Sequence, residues 1–428
     1  MHPLLRLAYE GAARAANVAA RTAPAGDAKV LRALRARRGL VARYQAWAAA
    51  SRDPARALVW IHAPSVGEGL QARPVVERLR ASHPYLQLAY TFFSPSAERF
   101  ARALGADFCE YLPFDSRADV RTALAALRPT ALVFSKLDVW PSLAAEAARR
   151  GVRLGLISAT LARESGRRGA LAAALLRDAY ASLDAVGAID SRDQARLVAL
   201  GVQPGAISVT GDTRYDQVWA RARAADRDGA LLAPLASDRP TLVAGSTWPA
   251  DERVLLPAWL ALRRTCPRAR LIIAPHEPSP AHLTPIERWS AAASLRGARL
   301  GAAADWQDVD VIVVDRVGVL GELYALADVA FVGGGFHRAG LHSVLEPAAF
   351  GAPVLFGPRF GASRDARLLV SQGGGAAVTS ARELGERLTR WMMDASAQEQ
   401  AGTAARMLVQ QGLGAADRSV ALVERLLA

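Results

Sequence analysis

The chain has 428 residues, 51% of them hydrophobic and 22% charged, with a net charge of +13. That composition excludes a disordered chain and suits an ordered protein of two or three domains at roughly 150 residues each. Its two cysteines, Cys109 and Cys266, lie far apart with no metal-ligand spacing, which excludes a disulfide framework.

The chain opens basic. Residues 1–56 carry eleven Arg or Lys against Glu10, Asp27 and Asp53, so they supply +8 of the net charge. Arg6, Glu10 and Arg14 share one helical face, with Leu4, Leu5, Ala8 and Ala12 opposite. This predicts an N-terminal amphipathic helix that packs or lies at an interface. No apolar run reaches the ~20 residues that span a bilayer, and no apolar core precedes a signal-peptide cleavage site. Such a segment can bind anionic lipid head groups or nucleic acid; the plain alternative is a solvated, Arg-rich surface.

Short apolar runs then alternate with helical patterns. Strands are predicted at 57–62, 87–92, 131–134, 153–157, 185–189 and 207–210, with helices such as 70–82, 96–104, 117–127 and 143–150 between them. A loose, charged segment follows at 219–239. A second series has strands at 241–244, 270–274, 309–314, 329–332 and 353–356, a helix at 320–327, and a terminal helix at 417–427. The reading is α/β, with two Rossmann-like domains facing a cleft after a basic segment: 1–50, 51–225 and 226–428, the last helix packing back on the first domain. Ligands of such sheets bind beyond the carboxyl ends of strands, so functional residues belong just after them.

Polar residues sit there. Ser65, Glu68, Gln71 and Arg73 follow the first strand. Glu68, at or just before a helix start, is a candidate general base or a residue complementing the helix dipole. Lys136 and Asp138 follow 131–134; Lys136 is one of only two lysines, able to hold an anion or to pair with Asp138. Arg214 follows 207–210. In the second half Ser246 and Thr247, then Pro275, His276 and Glu277, then Gly318, each follow a strand. No His-Glu-x-x-His or Asp-x-Asp pattern supports a metal site. After 329–332 come Gly334 and Gly335 within a glycine run, then His342, Ser343, Val344, Leu345 and Glu346 entering a helix. A glycine turn and helix start suit a phosphate, and Glu346 suits ribose hydroxyls. The plain alternative is a βα turn capped by Ser343.

The ordered motifs Phe-Phe-Ser-Pro-Ser (92–96), Tyr-Leu-Pro-Phe-Asp (111–115), Gly-Asp-Thr-Arg (211–214), Gly-Ser-Thr-Trp-Pro (245–249), Ala-Pro-His-Glu (274–277) and Gly-Gly-Gly-Phe (333–336) resemble those of the 3-deoxy-D-manno-octulosonic acid (Kdo) transferases. The resemblance covers roughly residues 30–380 and implies a GT-B fold and transfer of Kdo from CMP-Kdo to a lipid A precursor in lipopolysaccharide biosynthesis. It implies an inverting glycosyltransferase with Glu68 as proton acceptor and Lys136 and Arg214 as stabilising cations. CMP contacts map to Pro275, His276, Gly318 and 343–346, joined in the expected donor set by Ser246, Thr247, Glu277, Gly334, Gly335 and His342. Ser65, Gln71, Arg73 and Asp138 are expected on the acceptor side. Asp138 stands where the family has glutamate, and Gly318-Val319 replaces a Gly-Glu pair.

No cofactor, no metal and no nucleic acid are expected. The partners implied are the donor, the acceptor and an anionic membrane, met peripherally at the cytoplasmic face of the inner membrane. The competing readings are another GT-B sugar-nucleotide enzyme and an inactive GT-B scaffold that binds membrane or nucleic acid.

Overall fold

The computed structural model describes residues 3–26, 28–161, 167, 169–302, 304–338 and 340–428. It divides into two compact units, Met1–Gln217 with Leu413–Ala428, and Val218–Gly412. Each is built on a parallel sheet with helices on both faces, the α/β pair of Rossmann-like units expected of a GT-B chain.

The first unit's sheet comprises β1 (Leu58–His62), β2 (Gln87–Phe92), β3 (Phe108–Tyr111), β4 (Ala131–Ser135), β5 (Arg153–Ala159), β6 (Ala185–Ala188) and β7 (Ile207–Val209). Their order is β3-β2-β1-β4-β5-β6-β7. Both faces of the central strands are covered, so β1 reads Leu-Val-Trp-Ile-His and is buried throughout. His62 is a core histidine. Its ring bonds Thr91 and Trp140, and burial drives its pKa down to about 3. The last helix, Ala415–Arg425, packs on the helix Val66–Ser82 and on β5 and β6.

The second unit's sheet comprises β8 (Thr241–Thr247), β9 (Arg270–Pro275), β10 (Gly297–Arg299), β11 (Val311–Val313), β12 (Val329–Val332), β13 (Val354–Phe356) and β14 (Gly375–Ala377). Their order is β10-β11-β9-β8-β12-β13-β14. The segment expected to be loose at 219–239 is partly ordered instead. The helix Thr213–Arg223 runs into it, and Leu232 and Leu235 are buried against the sheet.

The N-terminal helices, Pro3–Thr22, Lys29–Ala36 and Leu40–Ser51, belong to the first unit. Tyr44 is fully buried; its hydroxyl donates to the Tyr111 carbonyl at 2.9 Å and its ring meets Phe108 edge-on at 4.6 Å. Arg52 closes the segment by donating to the Leu127 carbonyl at 2.6 Å and to Gln87 Oε1 at 2.8 Å.

The first helix divides its sides differently from the expected pattern. Glu10 is buried and accepts from the Arg117 amide at 3.1 Å, where the helix Arg117–Leu127 begins. Tyr9 donates to Asp115 at 2.9 Å, and Asn17 to Asp119. The inward side therefore carries Tyr9, Glu10 and Asn17 beside the buried Ala20, because it meets a helix start with unsatisfied N–H groups. Leu4, Leu7 and Val18 point outward, 69%, 70% and 60% exposed.

Gly335, in the turn after β12, lies against the backbone of Gly357, and a Cβ on either would strike the other. Gly335→Ala should therefore destabilise the second unit by about 1–3 kcal/mol, as overpacking does. Gly361→Ala, where no atom lies within 4 Å of an added Cβ, serves as control. Thermal melts of the two variants test this; equal melting temperatures would show that the turn yields freely.

Candidate active site

In the first unit the polar residues gather beyond the ends of β1 and β4, which are neighbours in the sheet although two strands separate them in sequence. Glu68 lies in the first turn of the helix Val66–Ser82. Its Oε1 accepts from Lys136 Nζ at 3.0 Å, its Oε2 from the Ser65 hydroxyl, and its carbonyl from the Ser135 hydroxyl at 3.0 Å. Lys136 adopts the left-handed conformation (φ 68°), uncommon for a residue with a side chain, as the chain leaves β4. Burial alone would raise the Glu68 carboxyl. The Ser65 hydroxyl and Lys136 ammonium outweigh it and hold the group below the usual carboxylate range.

Arg214 forms a second group. Its Nη2 donates to Asp212 Oδ2 at 2.6 Å, and Asp212 also accepts from Gln71 Nε2 at 3.4 Å. Burial would raise the Asp212 carboxyl, but Arg214 overcomes this and keeps it low. Gln71 is buried, a support for Asp212 rather than a side chain open to a second substrate. Arg73 is paired with Glu77 along its own helix at 2.7 Å. Asp138 pairs with Arg167, not with Lys136, and burial raises its carboxyl against that pull.

In the second unit the expected residues stand at or just beyond the ends of β8, β9, β11 and β12. A register shift between Gly245 and Thr247 bulges β8, and Ser246 there takes a left-handed φ of 54°. Thr247 is buried with its hydroxyl on Glu252 at 2.9 Å, so it supports the bulge. The glycine run differs from an open phosphate cradle. The fully buried Asp251 already takes the Gly334 amide at 2.8 Å and the Phe336 amide at 3.0 Å, and it also takes the Trp248 amide at 2.9 Å. Gly334 and Gly335 thus wrap an internal carboxylate. The amides of Ser343, Val344, Leu345 and Glu346 lie where the helix Leu345–Phe350 begins and have no carbonyl behind them in that helix.

Rings line this site. Trp248 lies between His337 at 4.6 Å and His276 at 4.8 Å, and His276 stacks on His342 at 4.3 Å. Trp248 Nε1 donates to His342 Nε2 at 3.2 Å, which leaves the His342 proton on Nδ1. Burial first, then His276 and His337, lower the His342 pKa to about 4, so the ring is neutral at neutral pH. Pro275 ends β9 and is buried, whereas Glu277 is exposed. Gly318 (φ 93°) accepts from Arg221 Nη2 at 3.0 Å through its carbonyl. Glu346 Oε1 lies 3.7 Å from Arg221 Nη1.

Asp212, Trp248, Asp251, His337 and Arg221 are absent from the site expected by sequence. Asp212, Trp248, Asp251 and His337 had a signal, since each follows a strand. Arg221 had none, standing among many arginines on a charged helix.

Residues 32–217 match the family model of 3-deoxy-D-manno-octulosonic-acid transferase (kdotransferase). The chain is 27% identical over 401 residues to the 3-deoxy-D-manno-octulosonic acid transferase of Haemophilus influenzae, covering 91% of this chain and 92% of the relative. It is 30% identical over 380 residues to the enzyme of that name from Bordetella pertussis, covering 87% and 88%. Among solved structures, UDP-GlcNAc 2-epimerase from Neisseria meningitidis bound to UDP-GlcNAc aligns with a TM-score of 0.63 at 15% identity, over 86% of this chain and 100% of that one, a likeness of fold alone. On the identity and coverage shared with the Bordetella relative, the chain belongs to the 3-deoxy-D-manno-octulosonic acid transferase family.

Proposed function

We propose that the chain is an inverting glycosyltransferase that moves Kdo from CMP-Kdo to a lipid A precursor in lipopolysaccharide core biosynthesis. The observation that carries the chemistry is Glu68, a carboxylate kept ionised by Lys136 and Ser65. A glucosamine hydroxyl of the acceptor gives its proton to Glu68 while its oxygen bonds to the anomeric carbon of Kdo. The bond from that carbon to the CMP phosphate breaks, and CMP leaves with the electron pair. One displacement turns a β-linked donor into an α-linked product. Arg214, held by Asp212, supplies a further cation for developing negative charge.

The second unit takes the nucleotide in this reading. Glu346 accepts from the ribose hydroxyls, and the amides at 343–346 face the phosphate. His342, held neutral, offers Nδ1–H as a donor.

Glu68→Gln should leave CMP binding nearly intact and lower turnover by ~10²-fold or more, the scale of a lost general base. Single-turnover assays with CMP-Kdo and a lipid A precursor, beside calorimetric titration with CMP, test this. Near-normal turnover would remove Glu68 from the mechanism.

Lys136→Ala should move the acid limb of the rate profile. The ionised form of Glu68 is the active one, so rate falls as pH drops through its pKa. Without Lys136, burial is opposed chiefly by Ser65, the pKa rises, and the acid limb shifts to higher pH. A limb that stays in place would show that Lys136 acts elsewhere.

The acceptor is a lipid, and we propose peripheral attachment to the cytoplasmic face of the inner membrane through residues 1–56. Among the described residues no helix is long and apolar enough to cross a membrane. The outward Leu4, Leu7 and Val18 supply an apolar contact, and each basic residue near an anionic surface adds about 1 kcal/mol. Tyr9, whose hydroxyl is on Asp115, does not share that contact. Vesicle flotation should show binding to anionic lipid that weakens with salt. Equal binding to neutral vesicles, or none to either, would defeat the electrostatic part.

A further inference from the structure

Arg221 touches two of the residues expected to meet the nucleotide. Its Nη2 donates to the Gly318 carbonyl at 3.0 Å, and its Nη1 lies 3.7 Å from Glu346 Oε1. The space it fills exists because residue 321 is glycine; an added Cβ would run into the guanidinium carbon. Gly318 holds a left-handed φ of 93°, which lets the loop after β11 present its carbonyl. A planar guanidinium can bind two acceptors in fixed geometry, as a lysine ammonium cannot.

We propose that Arg221 is a positioning residue of the nucleotide site, its guanidinium seated over Gly321 and tying the Gly318 carbonyl and the Glu346 carboxylate into one edge. The inference rests on the reading of the second unit as the nucleotide site. It deepens that reading by naming what orients the carboxylate and keeps it an acceptor. Burial pushes the Glu346 carboxyl up, and Arg221 is the cation that pulls it back. Among the described residues, Tyr324 is a second titratable group that interacts with it. The Tyr324 hydroxyl is raised well above its usual range, by burial first and then by Glu346, and stays protonated. Without Arg221 the carboxyl would rise further, and the protonated form offers a poorer acceptor to a diol.

Calorimetric titration with CMP, on the full chain, tests this across mildly acid to mildly alkaline pH. Arg221→Gln should weaken binding about tenfold at neutral pH, with part of the loss recovered as pH rises and Glu346 ionises. Arg221→Lys should fall between, keeping the charge but not the fork. Gly321→Ala, which displaces the guanidinium without removing it, should resemble Arg221→Gln. In a Glu346→Gln background, Arg221→Gln should add less than about twofold, because the two residues act as one unit. Melting temperatures identify any variant that has lost its fold, and the remaining variants then decide. Equal losses in both backgrounds, or CMP affinity that depends on Glu346 but not on Arg221, would overturn the inference alone. Absence of CMP binding by the unsubstituted protein, or affinity unchanged in Glu346→Gln, would remove the nucleotide reading and the inference with it.

Discussion

The constraint on which the rest depends is that every strand pairing in both sheets is parallel. A parallel sheet sends the chain back across its face after each strand, so all strands finish at one edge. Crossovers change direction between β1 and β4 in the first unit and between β8 and β12 in the second. At such a point two loops part to opposite sides and leave a gap at the strand ends. Glu68 and Lys136 occupy the first of these, and Ser246 and the Gly333 turn the second. The 3.0 Å ion pair between residues 68 and 136 follows from sheet order, since β2 and β3 are placed on the far side of β1.

Buried carboxylates then shape each group of residues. Asp212 aligns Arg214, and Asp251 gathers the Gly334, Phe336 and Trp248 amides. A buried carboxylate without partners would cost several kcal/mol, so each is surrounded by donors. The outcome for Asp251 is that amides which would bind a phosphate in an open turn are already used within the protein. The glycines remain necessary for a different reason: Gly333 meets the backbone of Ser246, and Gly335 that of Gly357. Close approach of chains, not an exposed anion cradle, explains that glycine run.

Much of the fold could be read in the sequence because central strands are covered on both faces and become continuous apolar runs. β1, β2, β4, β5, β9 and β12 were expected for that reason. β3, β10 and β14 carry no such run, and all three are edges of their sheets. An edge strand has one neighbour and needs no long apolar run; β10 is Gly-Ala-Arg with both ends exposed. The order of functional segments was equally legible, because a residue just after a parallel strand must lie at the ligand-binding edge.

By itself the sequence determined the alternation of buried strands with helices in two series, the positions of Glu68, Lys136, Arg214, His276 and Glu346 after strands, and the resemblance to the family. Only tertiary structure decided which polar groups meet. It put Lys136 on Glu68 and Asp138 on Arg167, turned Gln71 into a buried support, and seated Arg221 over Gly321. It also turned Tyr9, Glu10 and Asn17 of the first helix inward, onto the start of the helix Arg117–Leu127, and left Leu4 and Leu7 outside. Period and composition fix what a residue can do locally. Its partner is set by strand order and by the direction in which each loop leaves the sheet, and neither is written in any short stretch of chain.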